Sequence, residues 1–233
     1  MSGRLGGKRV LVTHADRYIG PPVVDLFRRE GADVVADETD CTTGPEVAGE
    51  VVAAAGAVDV LVANFAGPHR RMPVTSMIGD VTAFADEEFQ DYLDELVWPL
   101  LRVVRAALPA MIERSSGKIV AATSATPERA IPGLAVYSAA RGAQNAFVQV
   151  AGAEAAPHNV QVNALGPAHI KNNMYYTDDM LADDAVRESF ESQIPAGRLG
   201  EGREAAELAL ALASGASDFM AGQVVPVSGG WAT

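Results

Sequence analysis

The chain has a single cysteine, Cys41, so no disulfide can close within it, and a reducing compartment such as the cytoplasm is the expected setting. Positive charge is scarce: 18 Lys and Arg stand against 30 Asp and Glu, a formal net charge of −12. A surface of that sign repels phosphate backbones, which argues against nucleic acid as a partner. No apolar run reaches the roughly 18 residues of a membrane span, so no membrane partner is expected. Residues 1–8, MSGRLGGK, lack the apolar stretch of a secretory signal. The four histidines show no metal-ligand spacing with one another or with Cys41, and no metal is expected. Internal repeats, low-complexity tracts and linkers are missing as well. What is left is a globular composition, 48% apolar and 21% charged, over 233 residues. That length supports one sizeable core, so residues 1–233 read as one domain.

Short apolar runs alternate with longer helical patterns. Strands are expected at Lys8–Thr13, Asp33–Ala36, Val58–Ala63, Gly117–Thr123, Asn159–Leu165 and Gln223–Val227. Helices are expected near Tyr18–Glu30, Glu46–Ala55, Phe84–Arg114, Val136–Ala156, Asp183–Gln193 and Arg203–Ser214. Pro99 and Pro109 fall inside the third of these, which predicts a kink or an early end. Strands separated by helices of this length imply parallel βαβ units with right-handed crossovers. The runs are continuously apolar, as in strands covered on both faces. The fold class is therefore α/β: a single Rossmann-like, doubly wound parallel sheet flanked by helices. Ligands in such sheets bind beyond the carboxyl ends of the strands. The residues to watch follow Thr13, Ala63, Thr123 and Leu165.

A dinucleotide-binding sheet needs glycines in the turn after its first strand, so that backbone can approach the pyrophosphate. Here the turn reads Thr13-His14-Ala15-Asp16-Arg17-Tyr18-Ile19-Gly20, and only Gly20 remains. If Gly20 is the last of three such glycines, His14 and Tyr18 hold the other two places, with Asp16 adding negative charge. The turn reads as closed to a dinucleotide. Asp37, after the second strand, is where such folds often keep an acid for ribose hydroxyls; it supports the alternative of a nicotinamide-dependent enzyme, although strand-end aspartates are common.

The fourth strand runs into Thr123-Ser124-Ala125-Thr126, and Tyr137 and Arg141 follow four residues apart. That spacing puts both on one face of a helix. A serine at a strand end and a tyrosine on the next helix can converge over one pocket. A fixed guanidinium beside a phenol favours the phenolate, and arginine stays charged throughout. Tyr137 is then a candidate general base for a substrate hydroxyl, with Ser124 hydrogen-bonding the same oxygen. Alternatively, Tyr137 is an ordinary tyrosine with an arginine neighbour one turn away.

Ser124, Tyr137 and Arg141, together with Thr13-x4-Tyr18-x-Gly20, resemble the short-chain dehydrogenase/reductase superfamily and, within it, the halohydrin dehalogenases. The superfamily carries Ser, then Tyr-x3-Lys, after a glycine-rich turn; the dehalogenases carry arginine for lysine and an aromatic in the turn. The resemblance runs from Lys8 to Trp231-Ala232-Thr233. It implies reversible closure of vicinal haloalcohols to epoxide, halide and a proton, with no cofactor. It also implies epoxide opening by azide, cyanide or nitrite in reverse. Tyr137 would be the base, Arg141 the residue that favours its anion, and Ser124 the substrate-oxygen partner. The halide site would involve Tyr18, Pro167, Ala168, His169 and Ile170, and the substrate side Phe65, Pro68, Tyr175 and Tyr176. Asn64 would support the sheet end. A homo-oligomer is implied, a tetramer built through Phe84–Arg114 and Val136–Ala156. The alternative is an NAD(P)-dependent short-chain dehydrogenase/reductase.

Overall fold

The computed structural model describes residues 3–66 and 81–232. Six strands form one parallel sheet: β1 (Arg9–Val12), β2 (Asp33–Ala36), β3 (Val60–Asn64), β4 (Gly117–Ala122), β5 (Val160–Pro167) and β6 (Val224–Val227). Their order is β2-β1-β3-β4-β5-β6. The chain moves outward from β1 to β2, then crosses back to β3 on the other side of β1. Between β1 and β3 the order reverses, and the crevice at their carboxyl ends is where such a sheet receives ligands. Each sequence-expected strand lies on one of these six, within two residues at either end.

The helices are α1 (Gly20–Arg29), α2 (Val47–Ala55), α3 (Asp86–Tyr92), α4 (Trp98–Glu113), α5 (Ala135–Ala155), α6 (Asp178–Leu181), α7 (Asp184–Glu191) and α8 (Gly202–Ala213). Pro21 and Pro22 occupy the first turn of α1, where their missing amides cost nothing. One apolar layer joins β1 and β3 to α1 and α8 through residues such as Val10, Val12, Phe27 and Leu210. The other joins the opposite sheet face to α2, α4 and α5 through Leu11, Leu61, Val104, Ile119 and Val148. Strands covered on both faces need apolar side chains in both directions, hence the unbroken VLV, VLVA and IVAA runs.

The long pattern Phe84–Arg114 is not one helix. Between α3 and α4 lies a π-helical turn, Leu93–Val97, and Pro99 sits in the first turn of α4. Pro109 lies inside α4 without ending it. The break therefore comes ahead of Pro99, where the hydrogen-bond ladder is already diverted.

Candidate active site

Thr13 closes β1, and its hydroxyl accepts the Asn64 amide across the crevice at 3.0 Å. The Asn64 side chain donates to the carbonyls of His14 (3.0 Å) and Arg17 (2.9 Å), fastening the first turn to the end of β3. Asn64 is thus a support of the sheet end. Gly20 opens α1 so close to the turn that a Cβ there would lie 2.6 Å from the Ala15 carbonyl oxygen, so no side chain fits.

Within this turn His14 (φ 47°) and Tyr18 (φ 56°) adopt left-handed backbone conformations. Glycine takes such angles freely; other residues are strained by about 1–3 kcal/mol each. The backbone keeps a glycine turn's shape while carrying two rings. His14 is buried, with its ring 4.9 Å from that of Phe65 and Nε2 accepting from the Cys41 amide at 3.4 Å. The Tyr18 amide donates to Asn173 Oδ1 at 2.9 Å, and Asn173 Nδ2 returns to the Asp16 carbonyl at 2.8 Å. The loop after β5 thereby uses a turn amide internally. Asp37 accepts from the amide and hydroxyl of Thr39 in a local turn.

Ser124 follows β4. Its Oγ accepts the Thr126 amide at 3.1 Å and lies 2.8 Å from the Thr126 hydroxyl. Tyr137 and Arg141 share one face of α5. Arg141 is completely buried. Its Nε donates to Tyr137 Oη at 3.1 Å, Nη1 to the Phe65 carbonyl at 3.0 Å and to Gln144 Oε1 at 2.8 Å, and Nη2 to the Ala66 carbonyl at 2.6 Å. The Tyr175 hydroxyl also donates to the Ala66 carbonyl.

A cavity of about 230 Å³ opens at this edge. Ser124 and Tyr137 face it together with Tyr18, Pro167, Ala168, His169, Ile170, Tyr175 and Tyr176. Arg141 lies behind Tyr137 rather than on the wall. Phe65, expected on the substrate side, does not line the cavity: its ring packs in the core against His14, and its carbonyl holds Arg141. Pro68 falls outside the described residues. Thr126, Phe190 and Trp231 also line the cavity; sequence spacing alone did not place them there. Trp231 lies between Arg129, whose guanidinium is 5.0 Å from its ring centroid, and His169, 5.0 Å away edge to face.

Four of the phenols are held neutral by burial. Burial raises the pKa of Tyr18, Tyr175 and Tyr176, and pushes Tyr92 up to about 12. These four stay neutral at physiological pH. The fifth tyrosine, Tyr137, is the one with a guanidinium hydrogen on its oxygen. His169 is lowered to about 4, first by burial and then by the Arg129 charge, so its ring is neutral. Its Nδ1 lies 3.1 Å from the Tyr176 hydroxyl. Among the described residues, no group of three His, Cys, Asp or Glu gathers to hold a metal. No described helix is long and apolar enough to cross a membrane.

A family model described as enoyl-(acyl carrier protein) reductase matches residues 6–232. The chain belongs to the short-chain dehydrogenase/reductase superfamily. Gluconate 5-dehydrogenase of Gluconobacter oxydans is 31% identical, over 97% of this chain and 95% of the relative. A solved structure described as a dehalogenation enzyme superposes with a TM-score of 0.85 at 28% identity, covering 97% of this chain and 99% of the other. A gluconate 5-dehydrogenase from Burkholderia cenocepacia, solved with NADP and tartrate, gives a TM-score of 0.82 at 28% identity, covering 98% and 96%.

A short-chain dehydrogenase/reductase fold implies a nicotinamide dinucleotide. The first turn here does not fit one. Rings replace the glycines at its two left-handed positions, Tyr18 occupies the cavity wall, and the Tyr18 amide is held by Asn173.

Proposed function

We propose that this protein is a halohydrin dehalogenase, a cofactor-independent carbon–halide lyase acting on vicinal haloalcohols. The observation that carries the reading is the pairing of an Arg141-backed Tyr137 with Ser124 on a cavity whose first-turn side is filled by Tyr18. Tyr137, as phenolate, takes the proton of the substrate hydroxyl. Ser124 accepts the Thr126 amide, and where the Thr126 hydroxyl donates in their 2.8 Å contact the Ser124 hydrogen is available to the substrate oxygen. The alkoxide then attacks the neighbouring carbon and displaces halide, so one C–O bond forms, one carbon–halogen bond breaks, and epoxide, halide and a proton result. Arg141 stays protonated throughout and holds the phenolate between turnovers. A large, weakly hydrated anion suits the apolar wall of Tyr18, Pro167, Ala168 and Ile170, with neutral His169 beside it. In reverse, azide, cyanide or nitrite takes the place of halide. A homotetramer in the cytoplasm belongs to the same reading.

The gluconate 5-dehydrogenase relatives favour a second reading, a nicotinamide-dependent oxidoreductase, and Asp37 stands where such an enzyme holds ribose. The deciding experiment incubates purified protein with small vicinal bromo- and chloroalcohols without nicotinamide. Halide release with epoxide formation supports the lyase. No release across the series, together with NAD(P)H binding, supports the oxidoreductase.

A further inference from the structure

We infer that Gln144 is a positioning residue for the proton transfer: its side-chain amide fixes the Arg141 guanidinium against Tyr137. This rests on the reading of Tyr137 as base. Gln144 lies three residues after Arg141 on α5, on the same helix face, and is completely buried. Its Oε1 accepts from Arg141 Nη1 at 2.8 Å, and its Nε2 donates to the Leu96 carbonyl at 2.7 Å. The amide can sit only one way round. A guanidinium has only donors and a carbonyl only acceptors, so a flipped amide loses both bonds.

The carbonyl it takes belongs to the π-helical turn Leu93–Val97, just ahead of Pro99. Such turns divert the ladder and mark functional positions in helices. Gln144 binds that turn through its amide nitrogen and passes its own oxygen to Arg141. The guanidinium is thereby held from three sides: by Phe65 and Ala66 at the end of β3, by Gln144 on α5, and through Gln144 by the helix break. Each hydrogen bond found for Arg141 ends on an uncharged oxygen. Its charge is therefore left to act on the Tyr137 oxygen, and a neutral amide is the side chain that orients it without cancelling it.

Other ionisable groups face this pair. Tyr92 of α3 lies edge to face with Tyr137 at 5.8 Å and feels Glu88 and Glu95. Tyr18 comes from the first turn, and Tyr175 and Tyr176 from the loop after β5. The Gln144 side chain bonds to Arg141 and to the Leu96 carbonyl, so its substitution reads out through Arg141.

The test compares Gln144→Leu and Gln144→Glu with the parent enzyme. Leucine removes both bonds; glutamate keeps a bond to Arg141 but places a negative charge on it. Both are expected to lower kcat about tenfold to a hundredfold, as small misplacements at a reacting centre do. KM is expected to change little, and the acid limb of the rate profile to move to higher pH, further for glutamate. A purely structural glutamine predicts a lower Tm with kcat and pH profile unchanged in the folded protein, and that result overturns the inference. Glutamate fills the same space, so it remains informative should leucine fail to fold. A second readout needs no substrate. Tyrosinate absorbance, with Tyr137→Phe as blank, is expected to appear at higher pH in both variants. No displacement there overturns the inference even where halide assays are silent; displacement without any halide release overturns the lyase reading alone.

Discussion

Arg141 donates from Nε to the phenol oxygen of Tyr137 at 3.1 Å, from a side chain that is 0% exposed. A buried cation whose other partners are carbonyl and amide oxygens gains most from an anion at that phenol. Tyr137→Phe removes the oxygen and little else, since the ring keeps its edge-to-face contact with Tyr92. Turnover is expected to fall by about 10²–10⁴-fold, the usual worth of a positioned general base. The melting temperature is expected to hold within a few degrees. Substantial residual halide release by this variant excludes Tyr137 as the base.

Arg141 anchors the fold as well as facing Tyr137. Arg141→Met orphans the carbonyls of Phe65 and Ala66 and the oxygen of Gln144. A buried acceptor left unpaired costs about 1–3 kcal/mol, so a large drop in denaturant midpoint is expected along with loss of activity. Arg141→Lys keeps a charge but cannot fork to several acceptors at once. It is expected to recover part of the stability and little of the rate. Equal stability of the methionine variant and the parent contradicts the anchoring role.

Trp231 closes one wall of the cavity and is clamped by Arg129, which also donates to its carbonyl at 2.9 Å. Trp231→Ala is expected to destabilise the fold by about 3–5 kcal/mol, the usual cost of deleting a buried tryptophan ring. It is also expected to raise kcat/KM for haloalcohols with bulky substituents relative to small ones. Paired measurements on a short and a long substrate check this; an unchanged ratio removes Trp231 from the determinants of substrate size.

The sheet was legible because buried parallel strands must be apolar on both faces, and Val10–Val12, Leu61–Ala63 and Ile119–Ala122 carry no polar interruption. Ser124, Tyr137 and Arg141 were legible because helix periodicity and strand ends restrict which residues can meet. Phe65 was misplaced since a residue just past a strand end can turn either way, and the His14 ring drew it inward. Gln144 sits on the same helix face as Arg141, yet periodicity does not say that the facing segment becomes π-helical over Leu93–Val97. Trp231 reaches the cavity through Gly229 and Gly230, both at positive φ, and no spacing rule traces such a path. The left-handed angles at His14 and Tyr18 were implicit in the glycine positions they occupy, although nothing local favours them there.

His169 gives the chain a pH-dependent stability that can be isolated from its carboxylates. The ring is buried between Tyr176 and Trp231, and its pKa drops from 6.5 to about 4. The unfolded chain therefore binds a proton at this residue before the folded chain does. Between pH 6.5 and about 4 acidification favours the unfolded state, and the stabilisation is complete only above pH 6.5. Most Asp and Glu side chains remain ionised in both states above about pH 5, so the window from pH 6.5 to 5 reports mainly on histidine. Across it the loss is expected to be about 1–2 kcal/mol at most, because the slope for one proton is about 1.4 kcal/mol per pH unit. His158 is exposed, and His158→Gln serves as the control. His169→Gln keeps a partner for the Tyr176 hydroxyl without titrating. Its denaturant midpoint is expected to be flatter between pH 6.5 and 5 than that of the parent or the control. An identical slope in all three proteins places the proton uptake elsewhere and removes the neutral His169 ring from the description of the cavity wall.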